Sequence, residues 1–356
     1  MKPWENNIRR VDPYIPGEQP NKAGMVKINT NENPYPPAPG VIQILNNMNP
    51  DTLRRYPDPT IGLLVRELSE FYRLKEEQVF VGVGSDDVLA MAFMTFFNST
   101  TPVLFPDITY SFYPVWCELF SIPYETPALT EDLRINKTDY YRENGGVIIA
   151  NPNAPTGIYE DLGFIEDIIE NNQSSVVIVD EAYVDFAGRS AIELIDKYEN
   201  LLVVQTFSKA RSMAGMRIGY AMGSTKLIKA LNDVKYSFNS YTMNQTAIMA
   251  GIEAVRDVEY FRDKTNKIIN TREEATAKFT SLGFAFPTSG ANFIFVSHTR
   301  IPAIEIYRYL RANNIFVRHF NMPRIDNYLR ISIGSEEDMN RLFASLHKFV
   351  EEYQGS

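Results

Sequence analysis

The chain has 356 residues, 44% of them hydrophobic and 22% charged, and it carries a formal net charge of −9. A chain of this length can bury the cores of one large and one smaller domain, and its negative charge argues against binding to nucleic acid or to an anionic membrane surface. The first residues lack the apolar segment of a signal peptide and the apolar runs are too short to span a membrane, so we expect a cytoplasmic protein.

Residues that commonly bind metals are sparse. Cys117 is the only cysteine, which excludes an intrachain disulfide and any metal site built from several cysteines. The three histidines, His298, His319 and His347, stand far apart and lack the spacing of metal ligands. We therefore expect no metal site.

Residues 1–40 are rich in proline and asparagine and predict an extended arm. Proline fixes φ and has no N–H to donate, so neither a helix nor a central strand can continue through a stretch such as 28–37, INTNENPYPP. The arm has few residues that could form a core of its own. We expect it to lie on another surface, either of its own domain or of a partner subunit.

From about residue 60, strand patterns alternate with helical ones. Apolar spacing predicts helices at 61–73 and 85–97. Near-continuous apolar runs predict strands at 78–84 (QVFVGVG), 101–105 (TPVLF), 146–151 (GVIIAN), 175–183 (SVVIVDEAY), 201–208 (LLVVQTFS) and 217–223 (RIGYAMG). Strands of this kind, with helices between them, indicate an α/β domain in which a parallel sheet is covered on both faces.

After about residue 250 the pattern becomes that of a smaller α+β domain. One long polar amphipathic helix is predicted at 251–279, followed by helices at 301–314 and 336–353. Short strands are predicted at 291–297, 315–320 and 328–334. The predicted organisation is an arm with the start of the small domain at 1–45, a large domain at 46–250 and a small domain at 251–356.

Three of the predicted strands end in polar residues that a functional site could use. The apolar part of each is followed by a polar segment that contains Asn151, Asp180 or Lys209, and these residues are 29 positions apart (180 − 151 and 209 − 180), about one βαβ unit. Ligands of parallel α/β sheets bind beyond the carboxyl ends of the strands, so we expect these groups to meet at one edge of the sheet. Tyr183 closely follows Asp180 and adds a phenol to the same region.

A fourth strand end predicts a turn that can bind phosphate. In residues 80–91, FVGVGSDDVLAM, the glycines allow a sharp turn, and Ser85 can cap the following helix, whose free N–H groups suit an anion. Asp87 stands where a dinucleotide-binding fingerprint has its third glycine, so that fingerprint is incomplete. A tight turn without a ligand fits this stretch equally well.

Lys209 stands among groups that suit a phosphate. Thr206 and Ser208 offer hydroxyls, and Arg217, just past a turn that contains glycine, offers a planar guanidinium. Pyridoxal phosphate requires a lysine for its Schiff base, an acid for its pyridine nitrogen and anchors for its phosphate. An amine among phosphate ligands, with Asp180 about one strand away, meets these requirements.

These motifs, in this order, resemble those of the fold type I pyridoxal phosphate-dependent aminotransferases. The motifs are GSDD at 84–87, NPNAPTG at 151–157, DEAY at 180–183 and SKARSMAGMRIGY at 208–220. The arm (RRVDPYIPGE, INTNENPYPP), LRRYPDP at 53–59, and the carboxyl-terminal IFVRHF and YLRISIG are similar to the histidinol-phosphate aminotransferase branch, so the resemblance covers nearly the whole chain. It implies a large α/β domain with a mostly parallel seven-stranded sheet, a smaller α+β domain, and pyridoxal 5′-phosphate as the cofactor.

The resemblance also implies roles for individual residues. Lys209 would form the Schiff base and shuttle a proton, Asp180 would pair with the protonated pyridine nitrogen, and Tyr183 would hydrogen-bond to the ring's 3-oxygen. Tyr110 would stack on the ring. The residues implied to hold the phosphate are Ser85, Asp86, Thr206, Ser208, Arg217 and, from the neighbouring subunit of a homodimer, Tyr56.

One position departs from the family pattern. The family usually has an asparagine immediately before Pro-Thr-Gly, where its amide contacts the ring's 3-oxygen, whereas this sequence has Ala154. Asn153 or Asn151 could substitute for that amide, and we retain Asn153 as a candidate cofactor ligand.

At the substrate end, Arg330 in YLRISIG corresponds to the arginine with which aminotransferases bind the substrate carboxylate. Arg318 lies 12 residues earlier (330 − 318), and two arginines together suit a dianionic phosphate. Tyr14 and Asn33 of the arm are further candidate substrate ligands. The implied reaction is a ping-pong transamination that interconverts L-histidinol phosphate and 2-oxoglutarate with imidazole acetol phosphate and L-glutamate, a step of histidine biosynthesis.

Two other activities stay open because they use nearly the same cofactor residues. They are an aromatic amino-acid aminotransferase and a decarboxylase of an amino-acid phosphate. A non-catalytic regulator that binds pyridoxal phosphate is a more remote alternative, since it would need a DNA-binding module and the chain is acidic.

Overall fold

The computed structural model of the chain describes residues 2–354. Its strands are β1 Val26–Lys27, β2 Val79–Gly82, β3 Val103–Leu104, β4 Tyr124–Glu125, β5 Gly146–Ala150, β6 Val177–Asp180, β7 Leu201–Thr206, β8 Gly219–Gly223, β9 Phe284–Ala285, β10 Phe293–His298, β11 Ile315–Phe316, β12 Arg318–His319 and β13 Leu329–Ser332. Its α-helices are α1 Pro39–Asn47, α2 Gly62–Tyr72, α3 Ser85–Phe96, α4 Phe112–Phe120, α5 Leu162–Glu170, α6 Thr225–Phe238, α7 Gln245–Arg256, α8 Val258–Ser281, α9 Ala303–Ala312 and α10 Glu336–Gln354. Across residues 2–354, none of the helices has both the length and the apolar character that crossing a membrane requires.

Seven strands form the central sheet, in the order β2-β8-β7-β6-β5-β3-β4. Strand β8 runs antiparallel to both of its neighbours, β2 and β7, and the remaining pairs are parallel. The prediction of an α/β fold with a mostly parallel seven-stranded sheet is confirmed.

Both faces of this sheet are buried because both are covered by helices. In β6, Val177 and Val179 pack into the core on one face and Ile178 into the core on the other, as the alternation of side chains along a strand requires. The first core includes residues of α2, α5 and α7, and the second includes residues of α3, α4 and α6. Polar side chains of the central strands are therefore found mainly where the strands end.

A smaller antiparallel sheet, in the order β12-β13-β10-β9, packs with α8, α9 and α10 around a core of its own. The arm contributes to this core: β1 pairs in parallel with β11 in a separate two-stranded sheet, and Val26 and Ile28 belong to the smaller core. Helix α1 instead places Val41 in the core of the large sheet. The smaller α+β domain is confirmed as part of the fold, whereas the exact boundaries at 45/46 and 250/251 stay predictions.

The single long helix predicted for 251–279 is wrong. The structure has α7 ending at Arg256 and α8 beginning at Val258, with Asp257 between them at φ −85° and ψ 71°. The Asp257 side chain accepts a hydrogen bond from the N–H of Tyr260 and so caps α8. Apolar residues continue at helical spacing on both sides of this cap, which hides the break from a pattern based on periodicity.

Candidate active site

The carboxyl ends of β5, β6 and β7 border a cavity of about 240 Å³. Asp180 is the last residue of β6 and Lys209 follows β7, so two of the three predicted strand-end groups meet there. The third, Asn151, is used in the fold, because its side chain exchanges two hydrogen bonds with the main chain of Glu160. The cavity wall also includes the predicted site residues Ser85, Asp86, Tyr110, Tyr183, Thr206, Ser208 and Arg217.

The amine of Lys209 is held by a neutral oxygen. Its Nζ donates a hydrogen bond to the main-chain carbonyl of Thr30 at 3.3 Å and lies 5.6 Å from the centre of the Tyr183 ring. The carbonyl of Lys209 itself accepts a hydrogen bond from Asn33 Nδ2 at 3.0 Å. An amine presented in this way to a cavity can form a covalent bond with a carbonyl carbon.

Asp180 is the buried acid of the site, with 5% of its surface exposed. The Tyr113 hydroxyl donates to its Oδ2 at 2.7 Å, and the N–H of Ala182 donates to its Oδ1 at 3.3 Å. Burial raises the pKa of Asp180 to about 6, although these hydrogen bonds act in the opposite direction. A cationic nitrogen beside this carboxylate would offset the cost of burying its charge.

The turn between β2 and α3 can bind an anion. Helix α3 begins at Ser85, and the first N–H groups of a helix have no acceptor within it. The residue at the N-cap is Gly84, so the predicted capping by the Ser85 side chain is wrong. Gly84 has a φ of +89°, and a Cβ at this position would lie 2.4 Å from Arg217 Nη2, so glycine allows the guanidinium to approach the turn.

Arg217 reaches this turn from the segment between β7 and β8. Its Nη2 lies 3.2 Å from Asp86 Oδ2 and its Nη1 lies 3.4 Å from Ser208 Oγ, so both contacts are long. The hydroxyls of Thr206 and Ser208 are 3.0 Å apart. A guanidinium, two hydroxyls and the start of a helix together offer a phosphate several donors and positive charge.

Two tyrosines complete the cavity wall. The Tyr110 hydroxyl donates to Asp86 Oδ1 at 2.8 Å, and burial raises the pKa of Tyr110. Tyr183 is 9% exposed, and its hydroxyl accepts a hydrogen bond from Asn31 Nδ2 at 2.9 Å. Both rings face the cavity that contains Lys209, so a planar ligand bound there would contact them.

A second cavity of about 270 Å³ adjoins the first and shares Lys209, Tyr110 and Tyr183 with it. Arg318 of β12 and Arg330 of β13 line it, and these two residues lie directly opposite each other in the antiparallel pair of strands. The two cavities together extend from the acid Asp180 past the amine to a pair of arginines.

Arg330 is a half-buried cation with unused hydrogen-bonding capacity. Its Nη2 donates to the carbonyl of Asn29 at 3.2 Å, but its Nε has no hydrogen-bond partner among the described residues. Burial lowers the pKa of Arg330, and the neighbouring charge of Arg318 acts in the same direction. The ring centres of Phe293 and Phe320 lie 5.4 and 5.6 Å from its guanidinium carbon. Two adjacent cations in this setting suit a doubly charged anion.

Tyr14 is one of the arm residues that line this second cavity. Its ring stacks on that of Phe112, with centres 4.3 Å apart, and lies 6.5 Å from that of Tyr110. The arm therefore folds back over the site of its own chain, one of the two locations that its sequence left open.

Comparisons with known proteins agree with this chemistry. The model of the family aminotransferase class I and II matches residues 23–346. A histidinol-phosphate aminotransferase from Clostridium botulinum (strain Okra / Type B1) is 48% identical over 349 residues, which cover 98% of this chain and 99% of that protein. The chain belongs to the histidinol-phosphate aminotransferase branch of the class I and II aminotransferases.

Other members of the histidinol-phosphate aminotransferase family give the same result. The protein from Brachyspira hyodysenteriae (strain ATCC 49526 / WA1) is 48% identical over 346 residues, 97% of this chain and 98% of that protein. The crystal structure of histidinol-phosphate aminotransferase from Sinorhizobium meliloti in complex with pyridoxal-5′-phosphate is 24% identical, covers 92% of this chain and 91% of that one, and aligns with a TM-score of 0.84. The aminotransferase fold is thus shared even where the sequences have diverged.

Asn33 and Asn153, two of the predicted ligands in this aminotransferase, hydrogen-bond to main-chain carbonyls and line neither cavity. Asn33 Nδ2 donates to the carbonyls of Lys209 and Ala210, which positions the lysine segment. Asn153 is 4% exposed; its Nδ2 donates to the carbonyl of Ile108, and its Oδ1 accepts from a threonine hydroxyl. Their amides are thus occupied by the fold, and the structure does not bring them to a ligand.

Tyr56 also lies away from the cavities of its own chain. It is 82% exposed, and its ring packs on that of Tyr241 with centres 4.6 Å apart. Its predicted contact with the phosphate of a neighbouring subunit stays a prediction.

Residues 29–31 and Tyr113 also contribute to the site, although no sequence pattern singled them out. Consecutive residues of the arm hold three groups of the site: the carbonyl of Asn29 holds Arg330, that of Thr30 holds Lys209, and the amide of Asn31 holds Tyr183. The asparagines of INTNEN suggest local hydrogen bonding, but their partners are distant in sequence. Tyr113 lies three positions after Tyr110, and this spacing could have suggested a second tyrosine at the site.

Proposed function

We propose that the chain is a histidinol-phosphate aminotransferase, which transfers an amino group from L-histidinol phosphate to 2-oxoglutarate and so forms imidazole acetol phosphate and L-glutamate. The observation that carries this proposal is the pair Arg318 and Arg330, which are adjacent in register and line the cavity that Lys209 also enters. One substrate carries a phosphate and the other two carboxylates, and all of these groups are anions that arginines bind well.

The residues present fit pyridoxal phosphate. Its phosphate would bind to the first turn of α3, to the hydroxyls of Thr206 and Ser208, and to Arg217, whose present contacts are long enough to be exchanged for better ones. When bound, the cofactor supplies an electron-withdrawing ring that stabilises negative charge at the carbon bearing the amino group. Tyr110 would cover one face of that ring.

Lys209 has two tasks in this proposal. Its amine would bind the cofactor covalently in the resting enzyme, since Lys209 lines the cavity beside Asp180. When free, the same amine would move the proton of the substrate carbon that bears the amino group. The carbonyl of Thr30 can accept a hydrogen bond from this amine while it is free.

Asp180 would keep a proton on the ring nitrogen of the cofactor. Its carboxylate is buried and already held at both oxygens, by Tyr113 and by the main chain, so it offers a fixed negative charge. A cation next to a buried carboxylate stabilises its charged form. We therefore infer that cofactor binding lowers the pKa of Asp180 below the value of about 6 that burial produces.

A homodimer and a cytoplasmic location complete the proposal. Tyr56 is largely exposed in one subunit and packs on Tyr241, which is exposed as well, and such an apolar surface suits contact with a second copy. In such a dimer, Tyr56 would reach the phosphate bound by the partner subunit.

The proposal is tested first by the cofactor. The purified protein should show the near-visible absorption of lysine-bound pyridoxal phosphate, and Lys209→Ala should abolish both this band and transamination. Lys226→Ala, at an exposed lysine of α6, should change neither. Normal turnover by the Lys209 variant would refute the assigned mechanism.

A substrate panel then separates the possible reactions. Changes in the absorption band are followed on addition of histidinol phosphate, phenylalanine or threonine phosphate in single half-reactions. The proposal predicts that histidinol phosphate gives the largest specificity constant and that no CO₂ is released. A preference for phenylalanine would indicate an aromatic aminotransferase, and CO₂ release would indicate a decarboxylase.

A further inference from the structure

Asn31 is a buried residue whose hydrogen bonds connect the strand of Arg330 to Tyr183. It is 1% exposed and has a φ of +58°. Its N–H donates to Ser332 Oγ at 2.9 Å, and its carbonyl accepts from Asn292 Nδ2 at 3.0 Å. The side-chain amide joins Ser332, two residues after Arg330, to Tyr183, so every polar group of Asn31 has a partner.

These contacts fix which end of the amide faces Tyr183. The Ser332 hydroxyl accepts the N–H of Asn31, so its hydrogen is available for Asn31 Oδ1, 2.9 Å away. Oδ1 therefore faces Ser332 and Nδ2 faces Tyr183. An amide turned the other way would place its Nδ2 beside a hydroxyl whose hydrogen has no other acceptor.

The direction of the Asn31 bond determines what Tyr183 can do. Nδ2 is a donor, so the Tyr183 oxygen acts as the acceptor in this contact. The hydrogen of the hydroxyl remains available, and across residues 2–354 it has no protein acceptor. Since Tyr183 lines the cavity of Lys209, this hydrogen can be directed to a ligand there, and Ala154 in the same wall offers only a methyl group.

We propose that Asn31 is a positioning residue that directs the Tyr183 hydroxyl hydrogen toward the 3-oxygen of the bound pyridoxal ring. The donated bond from Nδ2 fixes the rotation of the hydroxyl and polarises it, which strengthens the bond that it donates in turn. This role rests on the proposed function because it requires the cofactor. Through Ser332, the strand that carries Arg330 supports the same amide.

The charges around Tyr183 favour an anionic oxygen near its hydroxyl. Lys209 Nζ lies 5.6 Å from the ring centre, and the charge of Arg330 acts on the hydroxyl from β13. Three acids line the same cavity: Asp180, at the end of β6, and Asp86 and Glu32, which are paired with Arg217 and Lys27 respectively. The other ring in contact, Phe293, is apolar and meets Tyr183 edge to face at 5.1 Å.

The test is a pH titration of the absorption band of the bound cofactor. A hydrogen bond to the ring 3-oxygen stabilises negative charge on it, so losing that bond raises the pH at which the lysine-linked chromophore gives up its proton. Asn31→Gly removes the amide and tolerates the positive φ, and Asn31→Asp presents an acceptor to Tyr183 that turns its hydrogen away. We expect the midpoint to rise by about 0.7 pH unit, the equivalent of one hydrogen bond, and by more in the Asn31→Asp variant.

Two controls separate this role from a general loss of structure. Asn314→Gly replaces another asparagine with positive φ (+59°), exposed and in contact with β1 rather than with Tyr183, and should leave the midpoint unchanged. In a Tyr183→Phe background, Asn31→Gly should produce no further shift, because Asn31 acts through the hydroxyl. Thermal unfolding of the apoproteins checks that each variant folds.

The outcomes distinguish this inference from the proposed function. A wild-type protein without a cofactor band would contradict the proposed function and this inference together. A normal wild-type band with an unchanged midpoint in both Asn31 variants would refute the role of Asn31 alone. An equal shift in the Tyr183→Phe background would also refute it, since Asn31 would then act by another route.

Discussion

The hydroxyl of Tyr113 donates a hydrogen bond of 2.7 Å to Asp180 Oδ2 at the end of β6. Tyr113 is fully buried in the core of the large sheet, whereas Asp180 lines the cofactor cavity, so the bond connects the core to the site. It favours the charged form of the carboxylate, against the effect of burial. The core residue therefore helps to set how strongly Asp180 can bind a cationic ring nitrogen.

Tyr113→Phe should weaken cofactor binding without disturbing the packing. Hydrogen bonds to charged groups contribute about 1.5–3 kcal/mol, so we expect the Kd of pyridoxal phosphate to rise about 10- to 100-fold. Titration of the apoprotein with the cofactor, followed by absorbance, measures this change. Tyr140→Phe, at another buried tyrosine, is the matched control and should leave the Kd unchanged. An unaltered Kd in the Tyr113 variant would show that the bond does not support the carboxylate.

Asp180→Asn should stabilise the apoprotein in a pH-dependent way. Burial raises the native pKa from 3.8 to about 6, so the folded protein binds more protons than the unfolded chain between these values. The stability contributed by the protonated acid is complete below about pH 4 and is lost as the pH rises through 6. The neutral amide of the variant avoids this loss, which amounts to about 3 kcal/mol at neutral pH.

Urea unfolding of both apoproteins at pH 4 and pH 7.5 measures the effect. The free energies of unfolding should converge at the lower pH and differ in favour of the Asp180→Asn variant at the higher one. The same substitution should greatly weaken cofactor binding, because the ring nitrogen loses its anionic partner. A difference between the proteins that does not vary with pH would contradict the raised pKa of Asp180.

Gly84→Ala should weaken the phosphate site. The new Cβ would lie 2.4 Å from Arg217 Nη2, and the positive φ of residue 84 would be strained. Because Arg217 must move away, we expect the Kd of pyridoxal phosphate to rise at least about tenfold. Gly215→Ala, in the segment that leads to Arg217, is the control, since a Cβ there has nothing within 4 Å. If both variants bind the cofactor like the wild type, Arg217 does not hold the phosphate.

Arg330→Lys should impair the use of anionic substrates and spare the cofactor. Lysine keeps the charge but loses the planar pair of donors, so kcat/KM for histidinol phosphate and for glutamate should fall roughly 30- to 100-fold. The absorption spectrum of the resting enzyme should be unchanged. Arg54→Lys, at an exposed arginine paired with Asp51, should behave as the wild type. An altered resting spectrum would place Arg330 at the cofactor rather than at the substrate.

Subunit mixing tests whether Tyr56 serves the partner's site. Lys209→Ala and Tyr56→Ala are each expected to be impaired, and the two proteins are then mixed under conditions that allow subunit exchange. A mixed dimer would contain one site with both an intact Lys209 and an intact Tyr56 if the tyrosine acts across the interface. Activity should then increase on mixing. No increase, despite exchange shown by mass spectrometry, would indicate that Tyr56 acts within its own chain or not at all.

The sequence was most informative for groups placed by regular secondary structure. The apolar strands end within three residues of the predicted positions, and Asp180 and Lys209 meet at the same edge because parallel strands bring their carboxyl ends together. Arg318 and Arg330 were linked by their short separation, and the structure makes them register partners. Local spacing is enough in these cases.

The sequence was least informative for amides whose partners are distant in the chain. Asn33 and Asn153 were expected at a ligand, yet both hold main-chain carbonyls, while Asn31, which was not selected, contacts Tyr183. An asparagine has two donors and an acceptor that satisfy main chain or ligand equally well. Only the tertiary structure decides between them, and the same is true of the break at Asp257, where one side chain ends a continuous helical pattern.

The antiparallel direction of β8 divides the site into parts of different rigidity. Because β8 begins at the edge where β2 and β7 end, the short segment 207–218 supplies both Lys209 and Arg217 without crossing the sheet. Their separation is therefore set within one loop of the large sheet. Arg330 instead belongs to the smaller sheet. A rigid rotation of one sheet against the other would therefore change the distance between Arg330 and Lys209 and leave the distance between Arg217 and Lys209 unaltered.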